Sequence, residues 1–214
     1  MAARAFPVYT RGEWLADLGV HVTGVTVGLV AVAGLIGWLV PHTGSRAALG
    51  LSLYAPALLA MLGSSAAYNL TVASPRKGLL RRLDHAAIFV LIAGTYSPFA
   101  LAKIGGDLGM GLFAANWALA VVGALHAVVW PRFGERLEIV IYLLMGWSIL
   151  VALDAFLSAA TPPVVALLLG GGVVYTAGVG FHAAHRLKFH NAIWHALVLV
   201  AAGMHYAAMW VAFA

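Results

Sequence analysis

The chain contains no cysteine, so it can form neither a disulfide nor a thiolate metal site, and any metal must be held by His, Asp, Glu, Asn or Ser. Charge is also scarce. Only 9% of the 214 residues are charged and 63% are hydrophobic, whereas a soluble domain is about one quarter charged. That balance excludes an ordinary soluble domain and implies a membrane protein. A signal-peptide pattern is missing as well: the opening "MAARAFPVYTRGEW" is too polar for an apolar targeting region, so the expectation is no cleavage, with the first span acting as the targeting signal.

What the chain has is long apolar runs. A helix needs about 20 apolar residues to cross a hydrocarbon core of about 30 Å. Seven segments reach that length, near 19–40, 47–71, 84–103, 108–130, 137–157, 163–184 and 190–213. The breaks between them, "PHTGSR", "ASPRKGLLRR", "KIGGD", "PRFGER", "SAATPP" and "HRLKFH", carry the Gly, Pro and charge of turns. Lipid offers the backbone no hydrogen bonds and the runs lack period-two alternation, so helices are expected and strands are not. The predicted fold is all-α: an integral membrane bundle of seven transmembrane helices forming a single domain over 1–214.

Orientation follows from the basic residues. Arg4, Arg11, Arg76, Lys77, Arg81, Arg82, Arg132, Arg136, Arg186 and Lys188 fall on one side, leaving only Arg46 and Lys103 on the other. The positive-inside rule then places the amino terminus in the cytoplasm and the carboxyl terminus outside. The net charge of +5 is thereby explained as an orientation signal, aided by anionic lipid, and no nucleic-acid partner is needed.

With that topology, the polar residues gather at one level. Ser65 and Asn69 lie at the cytoplasmic end of span 2, Asp84 and His85 open span 3, and Asn191 and His195 open span 7. Glu13, Asp17 and His21 lead into span 1 at four-residue spacing and so share a helix face. Simpler readings stand beside this one. Asp84 and Asn191 occupy positions suited to N-caps, and Asn69 could close span 2. Glu13 and Asp17 could be solvated, His21 could be a hydrogen-bonded core histidine, and Ser65 could bond the carbonyl one turn back. His205 lies about 15 Å beyond His195 along the helix, as a buried histidine or a cavity-lining one. Pro98, with Gly94 and Thr95, is expected to bend span 3. Gly24, Gly28 and Gly170 to Gly172 read as close-packing surfaces, and Trp38, Trp130 and Trp210 as an interfacial belt.

Four stretches, "RRLDHAAIFVLIAGTYSPF" (81–99), "IYLLMGW" (141–147), "GGVVYTAG" (171–178) and "NAIWHALVLVAAGMHY" (191–206), resemble the bacterial hemolysin III proteins. These belong to the superfamily of progestin and adipoQ receptors, which includes the adiponectin receptors. The opening pattern Glu13-x3-Asp17-x3-His21-x2-Gly24 is also similar, although the family usually has Asn at the middle position. The resemblance implies seven helices with a cytoplasmic amino terminus. It further implies a zinc site near the cytoplasmic face: a serine and a histidine four apart on span 2, an aspartate opening span 3 that holds a zinc-bound water, and a His-x3-His pair on span 7. Here those positions are Ser65, Asn69, Asp84, Asn191 and His195, so two of the three histidine positions are asparagines. Neutral amide oxygen is a poor zinc ligand. A hard cation accepts it but needs more carboxylates than Asp84 alone. Three readings stay open: a metal-free hydrogen-bonded network, which is the preferred expectation; a weaker or different metal; or recruitment of another histidine among His21, His85, His126, His182, His185 and His190.

The functional expectation drawn from the resemblance is a lipid amide or ester hydrolase with a degenerate metal site, in which Asp84 is the base and Ser65 steadies the oxyanion. The alternative is a non-enzymatic lipid-binding, sensing or membrane-homeostasis protein with an acyl chain in the bundle. A further alternative is a cytolysin. All three are expected in a bacterial inner membrane with membrane lipid as partner.

Overall fold

The computed structural model describes residues 9–71, 74–129 and 135–214, and these are helical almost throughout, with no strand among them. Arg4, Trp130 and Arg132 lie outside the described residues. Among the described residues, seven helices are long and apolar enough to cross a membrane: α1 (Arg11–His42), α2 (Ser45–Leu70), α3 (Lys77–Ile104), α4 (Gly106–Val129), α5 (Glu135–Ala159), α6 (Pro162–Ala183) and α7 (His190–Phe213).

Two of them begin well before their apolar runs. In α1 the start is set by a capping box, with Thr10 N donating to Glu13 Oε2 at 2.9 Å and Glu13 N to Thr10 Oγ1 at 3.3 Å. In α3 the first turns are built from "KGLLRRLD", whose Lys, Arg and Leu favour helix without adding to an apolar run. This corrects the capping readings. Asp84 sits about two turns inside α3, Asn191 is the second residue of α7 behind Phe189 at the cap position, and Asn69 precedes the last residue of α2 with Thr71 beyond it. Ser64, rather than Ser65, donates to the carbonyl one turn back, Met61 O, at 3.2 Å.

Glu13 has a second task. Its Oε1 accepts from Phe189 N at 3.1 Å, and Phe189 has φ 62°, a left-handed conformation that a bulky side chain rarely adopts. The carboxylate therefore ties the turn before α7 to the start of α1. Glu13→Ala is expected to speed amide hydrogen exchange at Phe189 and the first turn of α7 while leaving the helix interiors unchanged. Unaltered exchange at Phe189 would show that the tie carries no weight.

Between helices, packing is the main source of cohesion, because lipid tails are as apolar as the side chains they surround. Successive helices pack together, α7 returns to α1, and α4 lies chiefly against α3. Small residues set the approach: Gly50 meets the backbone of Pro98, Gly123 meets the Phe89 ring, Gly171 meets His205, and Gly24 sits between Leu62 and Leu199. Val30, Val122, Leu144 and Val151 point outward, as lipid-facing residues should. Trp38 is exposed and stacks on His42, whereas Trp210 is only partly exposed.

Irregular backbone is re-satisfied locally. After Pro98, which cannot donate a helical N–H, α3 widens into a π turn over Phe99–Ile104. Within α5, a 3-10 segment at Ser148–Ala152 interrupts the span expected to be regular. Tyr96 explains how that break is tolerated, since its hydroxyl donates to Gly146 O at 2.7 Å and accepts from Ile149 N at 2.9 Å.

Candidate functional site

At the end of the bundle where α1, α3, α5 and α7 begin, Asp17, His21, Ser65, Asp84 and His195 are each under 10% exposed. Asp17 is the centre of the hydrogen bonding. His195 Nδ1 lies 2.6 Å from Asp17 Oδ1, and Asn191 Nδ2 donates to Asp17 Oδ2 at 3.2 Å. A carboxylate oxygen can only accept at that distance, so the proton lies on Nδ1, and in that tautomer Nε2 is an acceptor. Asn69 Nδ2 lies 3.5 Å from that nitrogen, 3.0 Å from Ser65 O and 3.4 Å from Ser65 Oγ, while Asn69 Oδ1 accepts from Asn191 Nδ2 at 3.4 Å. Ser65, Asn69, Asn191, His195 and Asp17 therefore form one network joining α1, α2 and α7.

His21 stands against this network without joining its hydrogen bonds through Nε2. That atom is buried, lies 3.6 Å from Asp17 Oδ2, and has no hydrogen-bond partner; the ring packs on His195 with centroids 4.5 Å apart. Leaving such a group unsatisfied costs about 1–3 kcal/mol.

The positions that the resemblance assigns to zinc do not fit a metal in this arrangement. Asn69 turns an N–H toward His195 Nε2, the nitrogen a metal there would need, and its oxygen already receives Asn191. Both asparagines supply donors where ligands would have to supply lone pairs.

Two cavities meet at this level. The larger, about 530 Å³, is the more polar of the two, and its walls include Asp84, His85, Glu135, His182, His190 and His195. A second, about 140 Å³ and mostly apolar, runs from Ser65, Asp84 and His195 past Leu91 and Trp147 to His205. Asp84 and His195 border both. At the rim of the larger cavity, burial, reinforced by Tyr68 and then by Asp17 and Glu13, pushes the Tyr9 hydroxyl up to about 12. It stays a neutral donor at physiological pH. His205 lies farther along α7, within reach of Leu168 O at 3.1 Å and beside Tyr175.

Opposite Asp17, two glutamates of α5 hold histidines that sequence reasoning left without partners. Glu135 accepts from Arg81 at 3.1 Å and pairs with His182 at 2.6 Å; Glu138 pairs with His85 and lies 3.9 Å from His126. Tyr142 completes the set by donating to His85 O at 2.8 Å. These carboxylates bind α3, α4, α5 and α6 together at one end. The available signal was composition: of the seven acidic residues, Glu13, Asp17, Asp84, Glu135 and Glu138 all fall at this end.

Comparison with known proteins accords with this architecture. The family model described as "Haemolysin-III related" matches residues 16–206. The chain belongs to the haemolysin III family. Among its relatives, Hemolysin-3 of Bacillus cereus is 33% identical over 193 residues, covering 90% of this chain and 88% of that protein. The Hemolysin-3 homolog of Bacillus subtilis (strain 168) is 30% identical over 192 residues, covering 90% of each. The monocyte to macrophage differentiation factor of Homo sapiens is 27% identical over 166 residues, covering 74% of this chain and 68% of that protein. No solved structure matches. With seven helices of spanning length and apolarity, this haemolysin III family protein is a multi-pass membrane protein seated in the lipid bilayer.

Proposed function

We propose that this haemolysin III family protein hydrolyses an amide or ester bond of a membrane lipid at the junction of its two cavities. The observation that carries the reading is the position of Asp84, buried on α3 and bordering both the polar and the apolar cavity. A lipid with its chain in the apolar cavity and its head group in the polar one would bring its acyl carbon to that junction. Asp84 takes a proton from the attacking water while the Ser65 hydroxyl steadies the developing oxyanion; as that oxyanion collapses and the acyl C–N or C–O bond breaks, Asp84 returns the proton to the departing amine or alcohol. Asn69 fixes Ser65 by donating to its Oγ, and Asp17 fixes His195, which forms the adjoining wall. No step runs through a metal at the family positions.

The proposal places the single domain in a bacterial inner membrane with the polar cavity facing the cytoplasm, as the basic residues indicate. Purified protein in lipid nanodiscs, offered a panel of ceramide-like amides and glycerol esters, is expected to release fatty acid. Asp84→Asn should lower the rate by at least about 100-fold, the usual contribution of general acid or base catalysis. A specific feature favours a second reading, lipid binding without turnover: Asn69 Nδ2 already faces His195 Nε2. Lipid that co-purifies stoichiometrically but is never cleaved from any member of the panel would establish that reading and remove the hydrolase. Leakage of dye-filled vesicles on addition of the protein would instead support a cytolytic activity.

A further inference from the structure

We propose that Asp17, His21 and His195 form a binding site for one zinc-like divalent cation, with two ligands on α1 in place of the asparagines at the family positions. Each residue offers one ligand atom, the three atoms lie within 4.8 Å of one another, and all three residues are buried. Among the described residues they are the group of His, Asp and Glu side chains that meets this condition. The second observation is His21 Nε2, a buried nitrogen with no hydrogen-bond partner, on a side chain 6% exposed. A cation would supply the missing partner.

Geometry and chemistry agree. Tetrahedral zinc with bonds of about 2.0–2.1 Å separates its ligand atoms by roughly 3.3 Å. His21 Nε2 lies 3.6 Å from Asp17 Oδ2, the oxygen beside the one that would ligate, so both imidazoles face the same carboxylate. His195 Nδ1 and Asp17 Oδ1, at 2.6 Å, must open by less than about 1 Å as the shared proton leaves. The proton of His195 would then reside on Nε2, and the Asn69 amide would turn its oxygen toward it. Asn191 already holds the other oxygen of Asp17, the kind of support that orients a ligating carboxylate. Two imidazoles and one carboxylate suit zinc or a neighbouring transition metal better than calcium or magnesium. A cavity of about 20 Å³, bordered by His21, Ser65 and His195 among mainly apolar neighbours, adjoins the two imidazoles. The inference does not rest on hydrolysis, since the ion would equally serve a binding or structural centre.

The test uses the full chain purified in detergent, stripped with chelator and titrated with zinc chloride. One zinc per chain is expected, with affinity lowered at least about tenfold by His21→Ala and by Asp17→Asn and unchanged by His205→Ala. X-ray absorption of the zinc-loaded wild type should show two imidazoles with an oxygen ligand. If His21→Ala does not fold, His21→Gln together with the wild-type spectrum carries the result. Failure to bind zinc, equal affinity in the His21 and Asp17 variants, or a spectrum with a single imidazole would each overturn the proposal. Fatty-acid release, assayed separately, reports on the hydrolase and not on the metal.

Discussion

Replacing Asp17 with alanine is expected to destabilise the folded bundle by about 3 kcal/mol. The carboxylate is buried and receives both His195 and Asn191, so alanine strands two donors in a site that water enters poorly. Each hydrogen bond to a charged acceptor is worth about 1.5–3 kcal/mol, and the two do not add in full because they share one acceptor group. Asp17→Asn separates the contributions. Its carbonyl oxygen can still accept from His195, but its amide would meet Asn191 donor to donor, so a smaller loss of about 1 kcal/mol is expected. Denaturation midpoints in mixed micelles check both values. Should alanine cost no more than asparagine, Asp17 does not hold α1 to α7.

The seven helices were legible because a bilayer imposes length and apolarity on anything that crosses it. Their true starts were not. Arg11 and Lys77 begin helices through a capping box and through charged helix formers, neither of which registers in an apolar run. The gathering of Ser65, Asn69, Asp84, Asn191 and His195 at one level could likewise be read from depth, which is a property of each span by itself. Partner choice could not. Asp17 and His195 are 178 residues apart, and only the packing of α7 onto α1 decides that Asp17 takes His195 while Glu135 and Glu138 take His182 and His85. The same packing separates the histidines named as substitutes for the missing ligands. His85, His126 and His182 lie beside glutamates of α5, whereas His21 alone of that set converges with Asp17 on His195.

Gly50→Val should destabilise the bundle by about 3 kcal/mol, for a reason unrelated to polar chemistry. A Cβ at Gly50 would overlap the Cα and N of Pro98, which are backbone atoms and cannot rotate away. The surrounding helices must move apart, and in lipid no hydrophobic force compensates for the lost contacts between them. Gly50 lies about 20 Å along α2 from Ser65, so the wedge acts as a lever: parting α2 from α3 at one end shifts Ser65 and Asn69 relative to Asp84 at the other. Under the proposed hydrolase function, loss of fatty-acid release should therefore accompany loss of stability, even though Gly50 touches no polar residue of the site. Gly63 provides the control. It lies on the same helix, and a Cβ there meets nothing within 4 Å, so Gly63→Ala should be neutral or stabilising by up to about 1 kcal/mol through helix propensity. Wild-type denaturation midpoints for both variants would show that the close approach of α2 to Pro98 is incidental. A deficit confined to Gly50→Val, with slowed lipid turnover, would show that the distance between Ser65 and Asp84 is set by glycine packing at the far side of the membrane.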